Sequence, residues 1–111
     1  MVGGAAALAT YLEREEAKNP RRTLIVDSGD FMQGPAISSY FEGKSTVEVF
    51  NEIGVDSVAV GNHEFDWGRD ALSQRIAEAN FPFLANNIVE DSTGEQPEGI
   101  APYKVFKLPG A

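Results

Sequence analysis

The fold is decided by two stretches of the same design, residues 23–30, TLIVDSGD, and residues 56–66, DSVAVGNHEFD. Each begins with a short apolar run that is rich in β-branched residues, which is the composition of a buried strand. Each then changes abruptly to glycine and polar residues, as a turn does. The two stretches therefore predict strands over Thr23 to Val26 and Asp56 to Val60, with a polar loop after each strand.

Helical patterns lie on either side of these strands. From Gly4 to Lys18 the apolar residues recur at helical spacing, and Asn19-Pro20 ends the segment because a residue before proline disfavours the α conformation. Ser45 to Ile53 has the same spacing and is followed by Gly54, a typical helix terminator. Asp70 to Ala79 carries a third apolar face. Helices and strands thus alternate along the chain.

The last third of the chain predicts further strands. Residues 81–84, FPFL, form an apolar strand entry, and Tyr103 to Leu108 alternates in the manner of a strand. We expect a C-terminal hairpin with a long, exposed connection. The predicted fold class is α/β, with alternating helices, mostly parallel strands with right-handed crossovers, and this hairpin at the end.

Composition limits the possible functions. The 111 residues fit one small domain or a segment of a larger one, and 42% hydrophobic residues indicate a chain that buries a core. The net charge is -8, and no stripe of Lys or Arg is present that would neutralise a nucleic-acid backbone. A negative protein acts on phosphorylated small molecules where divalent cations supply the positive charge. The composition therefore favours a metal site over a nucleic-acid groove.

Other classes of site and segment are excluded by what the sequence lacks. Without cysteine the chain has no disulfide framework and no thiolate zinc site. No apolar run approaches the roughly 20 residues that a membrane span needs. Met1 to Ala9 is small and apolar but has no basic region before it, so it is not expected to be a signal peptide.

Polar side chains follow both predicted strands, at the carboxyl ends where open α/β sheets bind ligands. Asp30 and Asn62 fall at these ends. A carboxylate held after a buried strand, with a flexible Gly29 before it, is a good oxygen ligand for a divalent cation. Asp and Gly after a strand are also ordinary turn formers, and the sequence leaves both interpretations open for Asp30.

His63 is the only histidine in the chain. An imidazole can work as an acid, as a phosphoryl-oxygen stabiliser or as a ligand near neutral pH. Asp66 is placed to accept its other ring proton and fix the tautomer. A loop histidine satisfied by the backbone is the alternative. Three environments are open for Glu64, which are contact with a group that itself holds a ligand, capping of the following helix, and exposure to water. We assign Glu64 no catalytic role.

Aromatic residues close to the strand ends are expected to cover the core rather than to stack on a nucleobase, since that is the more common use of such residues. They are Phe31, Phe65, Trp67, Phe81 and Phe83.

Residues 24–34, LIVDSGDFMQG, and residues 60–68, VGNHEFDWG, resemble the second and third signatures of the 5'-nucleotidases, which belong to the calcineurin-like metallophosphoesterases. Residues 3–5 and 81–88 resemble the family's first helix and the strand that leads into its next segment. The resemblance implies that residues 1–111 are an internal fragment of the N-terminal catalytic domain. The family's first signature, Asp-x-His, and its later histidine ligands are expected to lie outside the chain.

The resemblance also implies roles for four residues. An aspartate like Asp30 bridges two metal ions, and an asparagine like Asn62 binds one of them. A histidine like His63 stabilises the transition state, and an aspartate like Asp66 orients the histidine. The implied activity is metal-dependent hydrolysis of nucleotide phosphate monoesters to nucleoside and phosphate, with two divalent ions such as Mn, Zn or Mg. Because this metal site is incomplete in the chain, we expect the chain to be inactive alone.

The same reasoning gives two alternatives, a substrate, a location and a possible mode of self-association. A cyclic-nucleotide phosphodiesterase of the same superfamily would share the metal site. A non-catalytic α/β binding module or remnant would use the loops structurally or to bind a small ligand weakly. The expected partner is a nucleotide substrate. The family implies a periplasmic, cell-surface or secreted protein whose signal lies upstream. We also expect self-association through the sheet edge beside Thr23 to Val26, because an unpaired strand is a template for pairing.

Overall fold

The computed structural model describes residues 4–110, so the two ends of the expected 1–111 domain and the first residues of the Met1 to Ala9 segment lie outside the described residues. Helices and strands alternate as the sequence predicts. In chain order the elements are α1 (Ala5–Lys18), β1 (Val26–Asp27), α2 (Ala36–Tyr40), α3 (Lys44–Ile53), β2 (Ser57–Ala59), a 3-10 helix (His63–Phe65), α4 (Gly68–Glu78), β3 (Phe83–Leu84) and β4 (Ile100–Ala101).

The four strands form one parallel sheet in the order β1-β2-β3-β4. Asp27 lies opposite Val58, Val58 opposite Phe83, and Phe83 opposite Ile100. Each strand therefore lies beside its neighbour in sequence, and the connections cross over from one end of the sheet to the other. The α/β class with parallel strands is confirmed.

The expected C-terminal hairpin is wrong. β4 runs parallel to β3, and residues 103–108 contain no strand. Parallel neighbours need a connection of about a dozen residues or more, and residues 85–99 provide it. The alternating segment finds no second sheet face to cover, since Tyr103 is 73% and Val105 is 68% exposed. The alternation of residue types from Tyr103 to Leu108 was therefore not sufficient to predict a strand.

Two short helical elements were absent from the sequence prediction. α2 begins directly after Gly34-Pro35, and Pro35 stands at its N-terminal cap. The 3-10 helix lies within the polar loop after β2. In contrast, the end of α3 is as predicted, because Gly54 adopts a left-handed φ of 74° and its N–H bonds the carbonyl of Phe50.

The core lies between the sheet and its helices. Phe83 and Val47 are 0% exposed and Val58 is 1% exposed. Fully burying such side chains contributes roughly 1.5–3 kcal/mol each. Phe31 packs on Phe83 with ring centroids 5.7 Å apart. The interpretation of the aromatic residues as part of the core is thus confirmed. Phe81 and Phe83 belong to the buried cluster, and the partly buried residues that pack against it include Phe31, Phe65 and Trp67.

β1 is an edge strand of the described sheet, since it pairs only with β2 within residues 4–110. Val26 in β1 is 63% exposed. Such an edge offers unpaired backbone groups to another strand. Self-association through this edge stays a prediction. No helix within the same residues combines the length and apolar character that crossing a bilayer requires.

Candidate active site

Two loops meet where β1 and β2 end. Asp27 lies opposite Val58, and continuing this register by three residues brings Asp30 opposite Gly61. The backbone N–H of His63 donates to Asp30 Oδ1 at 3.1 Å. The structure therefore brings together the two polar loops that the sequence placed at the carboxyl ends of neighbouring strands.

The approach of the loops leaves no room for side chains at two glycines. A Cβ on Gly61 would lie 2.1 Å from Asp30 Oδ1. A Cβ on Gly29 would lie 2.8 Å from both the carbonyl oxygen of Ala59 and the backbone nitrogen of Gly61. The atoms near Gly29 belong to the backbone, so a side chain there would force the two loops apart. At Gly61 a side chain would displace the Asp30 carboxylate instead.

Asp30 has a left-handed backbone, with φ of 63°. A residue with a side chain rarely adopts this conformation, although aspartate tolerates it better than most. Backbone strain of this kind is concentrated at functional sites. Asp27 plays the simpler role, since its Oδ1 accepts the Gly29 N–H at 2.9 Å and so forms a turn. Asp27 is thus a turn-forming aspartate of this loop, and the role of Asp30 as a metal ligand stays a prediction.

His63 and Asp66 form a hydrogen-bonded pair. Nδ1 of His63 lies 2.7 Å from Oδ2 of Asp66. The pair spans the 3-10 helix, in which residues i and i+3 eclipse one another, and this explains why the two side chains meet. Their side chains are 42% and 31% exposed. With Nδ1 engaged by the carboxylate, Nε2 is the ring nitrogen left for a ligand.

The surroundings of His63 favour its protonated form. The hydrogen bond to Asp66 raises the pKa of His63 above its ordinary value of 6.5, and the charges of Asp66, Asp30 and Glu64 add to the effect, while partial loss of solvent opposes it. Because the pKa is raised on folding, the pair stabilises the folded state below pH 6.5, and this contribution is lost as the pH rises through the folded-state pKa.

The single histidine makes this pKa measurable without assignment ambiguity. In an NMR titration of the chain, we expect the ring Hε1 signal of His63 to have a midpoint above 6.5. Asp66→Asn removes the carboxylate and lowers the midpoint, whereas Asp91→Asn makes the same charge change in another loop and leaves it in place. Equal midpoints in the two variants would show that net charge, rather than the pair, sets this pKa.

Glu64 was the site residue whose surroundings the sequence did not reveal. Its side chain is 0% exposed, so the possibility that it faces water is wrong. It accepts hydrogen bonds from the backbone of both loops, including Asp30 N–H at 2.9 Å and Gly61 N–H at 2.7 Å. No periodic pattern marks it, because the Asp30 partner lies 34 residues away in sequence.

The oxygen donors at the site suit a hard divalent cation only in part. Asp30 offers a carboxylate and Asn62 an amide oxygen, and both residues are exposed at the loop surface. Asp30 has one oxygen engaged by His63 N–H, which leaves acceptor capacity on the other. Within residues 4–110, His, Asp and Glu side chains do not form any group of three or more that could hold a metal ion. These residues therefore fit as part of a ligand set.

The chain is 39% identical over 109 residues to the snake venom 5'-nucleotidase of Gloydius brevicauda, an alignment that covers 96% of the chain and 18% of that protein. The chain is similar to the 5'-nucleotidase family over nearly its whole length. It spans about a fifth of the length of the curated 5'-nucleotidases that it matches. A scan against family models finds no match.

Solved structures agree with the similarity to 5'-nucleotidases. The chain superposes on the NAD nucleotidase of Haemophilus influenzae with a TM-score of 0.83 and 27% identity, over 97% of the chain and 21% of that protein. It superposes on a calcineurin-like phosphoesterase of Bacillus subtilis with a TM-score of 0.72 and 32% identity, over 84% of the chain and 31% of that protein. Both the nucleotidase and phosphoesterase names match the resemblance seen in the two signatures.

Proposed function

We propose that the chain contributes to the active site of an enzyme that hydrolyses phosphate monoesters of nucleotides, in the manner of a 5'-nucleotidase. The observation that carries the proposal is the convergence of Asp30, Asn62 and the His63–Asp66 pair at the ends of β1 and β2. Similarity to the 5'-nucleotidases gives this arrangement its chemical interpretation. We further propose that residues 1–111 form part of the N-terminal catalytic domain.

In this proposal Asp30 and Asn62 hold divalent cations, such as Mn, Zn or Mg, together with ligands from outside the chain. When bound, the cations supply a nucleophile at neutral pH and balance the charge of the phosphoryl group. The net charge of -8 on the 111 residues favours such help, because negative charge repels a phosphate.

His63 supplies a hydrogen-bond donor to the phosphoryl oxygens. Asp66 accepts the Nδ1 proton at 2.7 Å, which orients the ring and stabilises its charged form. The remaining Nε2–H is then directed at a neighbouring oxygen that gains charge in the transition state. The proposal therefore gives His63 a catalytic role and Asp66 a positioning role.

The test is phosphate release from AMP with added Mn²⁺. We expect activity in the product of the complete gene, none in the 111-residue chain alone, and loss of activity on adding EDTA. The chain alone is expected to be inactive because two oxygen donors leave each cation dominated by water. Absence of phosphate release in the product of the complete gene would contradict the proposal and favour a non-catalytic module. Hydrolysis of cyclic AMP instead of AMP would favour the phosphodiesterase.

We also propose that the protein acts outside the cytoplasm. A relative that is 39% identical is a snake venom protein, and this supports the proposal. Separation of the native host's cells into soluble, membrane and extracytoplasmic fractions tests it, with a cytoplasmic enzyme as the marker. Recovery of the protein with that marker would contradict the proposed location.

A further inference from the structure

A buried carboxylate joins the two loops of the site. Oε2 of Glu64 accepts the N–H groups of Asp30 at 2.9 Å and Gly61 at 2.7 Å. Its Oε1 accepts the N–H groups of Phe31 at 2.9 Å and Met32 at 3.3 Å. Three of these donors follow β1 and the fourth follows β2. One side chain thus satisfies the backbone of both loops.

The arrangement has the chemistry of an anion site occupied by the protein itself. Consecutive N–H groups that converge on one point bind anions, and residues 30–32 converge on Glu64 in this way. Both carboxyl oxygens act only as acceptors, which is the role of the ionised form. Burying a charge is costly unless hydrogen bonds compensate it, and four donors do so for Glu64. The loop conformations and the Glu64 carboxylate therefore depend on each other.

These bonds act on the residues that carry the proposed chemistry. The N–H of Asp30 that Glu64 accepts belongs to the residue with the left-handed backbone, so the bond helps to hold a conformation that is otherwise unfavourable. Glu64 is also next to His63 in the 3-10 helix, and His63 N–H donates to the Asp30 side chain. Moving the Glu64 carboxylate would move Asp30 relative to His63.

We propose that Glu64 is a positioning residue, which sets the distance between the proposed metal ligand Asp30 and the imidazole of His63. The inference rests on the proposed function for the meaning of that distance. Glu64 itself is 0% exposed, so its carboxylate is not accessible to a substrate. Its effect passes through the backbone of the two loops.

Hydrogen exchange of the wild-type chain, followed by NMR, is the first measurement. The amides of Asp30, Phe31 and Gly61 lie in loops, yet we expect them to exchange slower than the amide of Asp91 by on the order of 100-fold, because a buried acceptor holds them. Exchange as fast as at Asp91 would overturn the proposal, since amides that open freely are not positioned.

Two substitutions then separate charge from geometry. Glu64→Gln keeps the shape but points an NH₂ group at two N–H donors, whereas Glu64→Asp keeps the charge and is too short to reach both loops. In the product of the complete gene, we expect either variant to weaken Mn²⁺ binding and to lower kcat, each by about 10- to 100-fold. The Mn²⁺ dissociation constant is measured without substrate.

Arg75 provides a matched control. It is a charged residue that is 5% exposed, and it donates to the carbonyl oxygens of Phe41 and Glu42, which lie in another loop. Arg75→Met therefore destabilises the fold while leaving Mn²⁺ affinity and kcat of the folded protein unchanged. The contrast with Glu64 distinguishes a role in the site from general loss of stability.

Several results would overturn the proposal. These are wild-type Mn²⁺ affinity and kcat in a folded Glu64→Gln protein, equal losses in Arg75→Met, and failure of both Glu64 variants to fold while Arg75→Met folds. The last result would assign Glu64 to overall stability. If the wild-type protein releases no phosphate, the proposed function fails separately, and hydrogen exchange and Mn²⁺ binding still decide the role of Glu64.

Discussion

His63→Ala will lower kcat for phosphate release from AMP by about 10²- to 10⁴-fold in the product of the complete gene, which is the usual contribution of a side chain that transfers a proton or stabilises charge in the transition state. The structure gives the reason, because His63 is held by Asp66 at 2.7 Å and its other ring nitrogen remains free for a ligand. Metal ligands are untouched by the change, so Mn²⁺ binding is expected to persist.

Asp66→Asn is expected to have a smaller effect on kcat than His63→Ala. It leaves the imidazole in place but removes the carboxylate that orients it, so we expect a smaller loss in kcat, on the order of 10- to 100-fold. Asp91→Asn, an exposed change of equal charge, serves as the control and should retain wild-type kcat. If His63→Ala keeps more than about a tenth of the wild-type kcat, the catalytic role of His63 is contradicted.

Gly29→Ala will destabilise the fold by about 3 kcal/mol or more, with Gly54→Ala as the matched comparison. Both glycines have a left-handed backbone, with φ of 91° and 74°. An alanine in this conformation costs about 1–2 kcal/mol at either position. At Gly54 nothing lies within 4 Å of the new Cβ, whereas at Gly29 the Cβ would be 2.8 Å from two backbone atoms. The difference between the variants is the cost of separating the two loops.

Urea unfolding followed by circular dichroism measures both free energies. We expect Gly54→Ala to lose about 1–2 kcal/mol and Gly29→Ala at least about twice as much. Gly29→Ala should also shift the NMR signal of His63. The new Cβ meets backbone atoms of Ala59 and Gly61, and Gly61 lies two residues before His63 in the same loop. Equal losses in the two variants would mean that the loops separate at no cost, and the close approach would then not constrain the site.

Much of the fold follows from local patterns. Helix α3 and its end at Gly54 were predicted because helical spacing and a left-handed terminator are properties of neighbouring residues. Strand positions were also predicted, although β1 is Val26–Asp27 rather than Thr23 to Val26. The prediction of a C-terminal hairpin was wrong because the direction of a strand depends on which distant strand is its partner.

Some features of the candidate site were also predictable from the sequence. The pairing of His63 with Asp66 was predictable, since two residues three apart in a tight turn meet through local geometry alone. The expectation that Asp30 and Asn62 lie near each other followed from the rule for parallel sheets. Their roles in catalysis stay predictions.

The alternation of helices and strands, the two polar loops and the histidine pair are encoded locally, because each depends on residues close together in the chain. The burial of Glu64 between the loops and the packing of Asp30 against Gly61 depend instead on the three-dimensional fold. These contacts join residues more than 30 positions apart. A hydrogen bond over such a separation forms only when the sheet register aligns both strands, and no local pattern encodes that alignment.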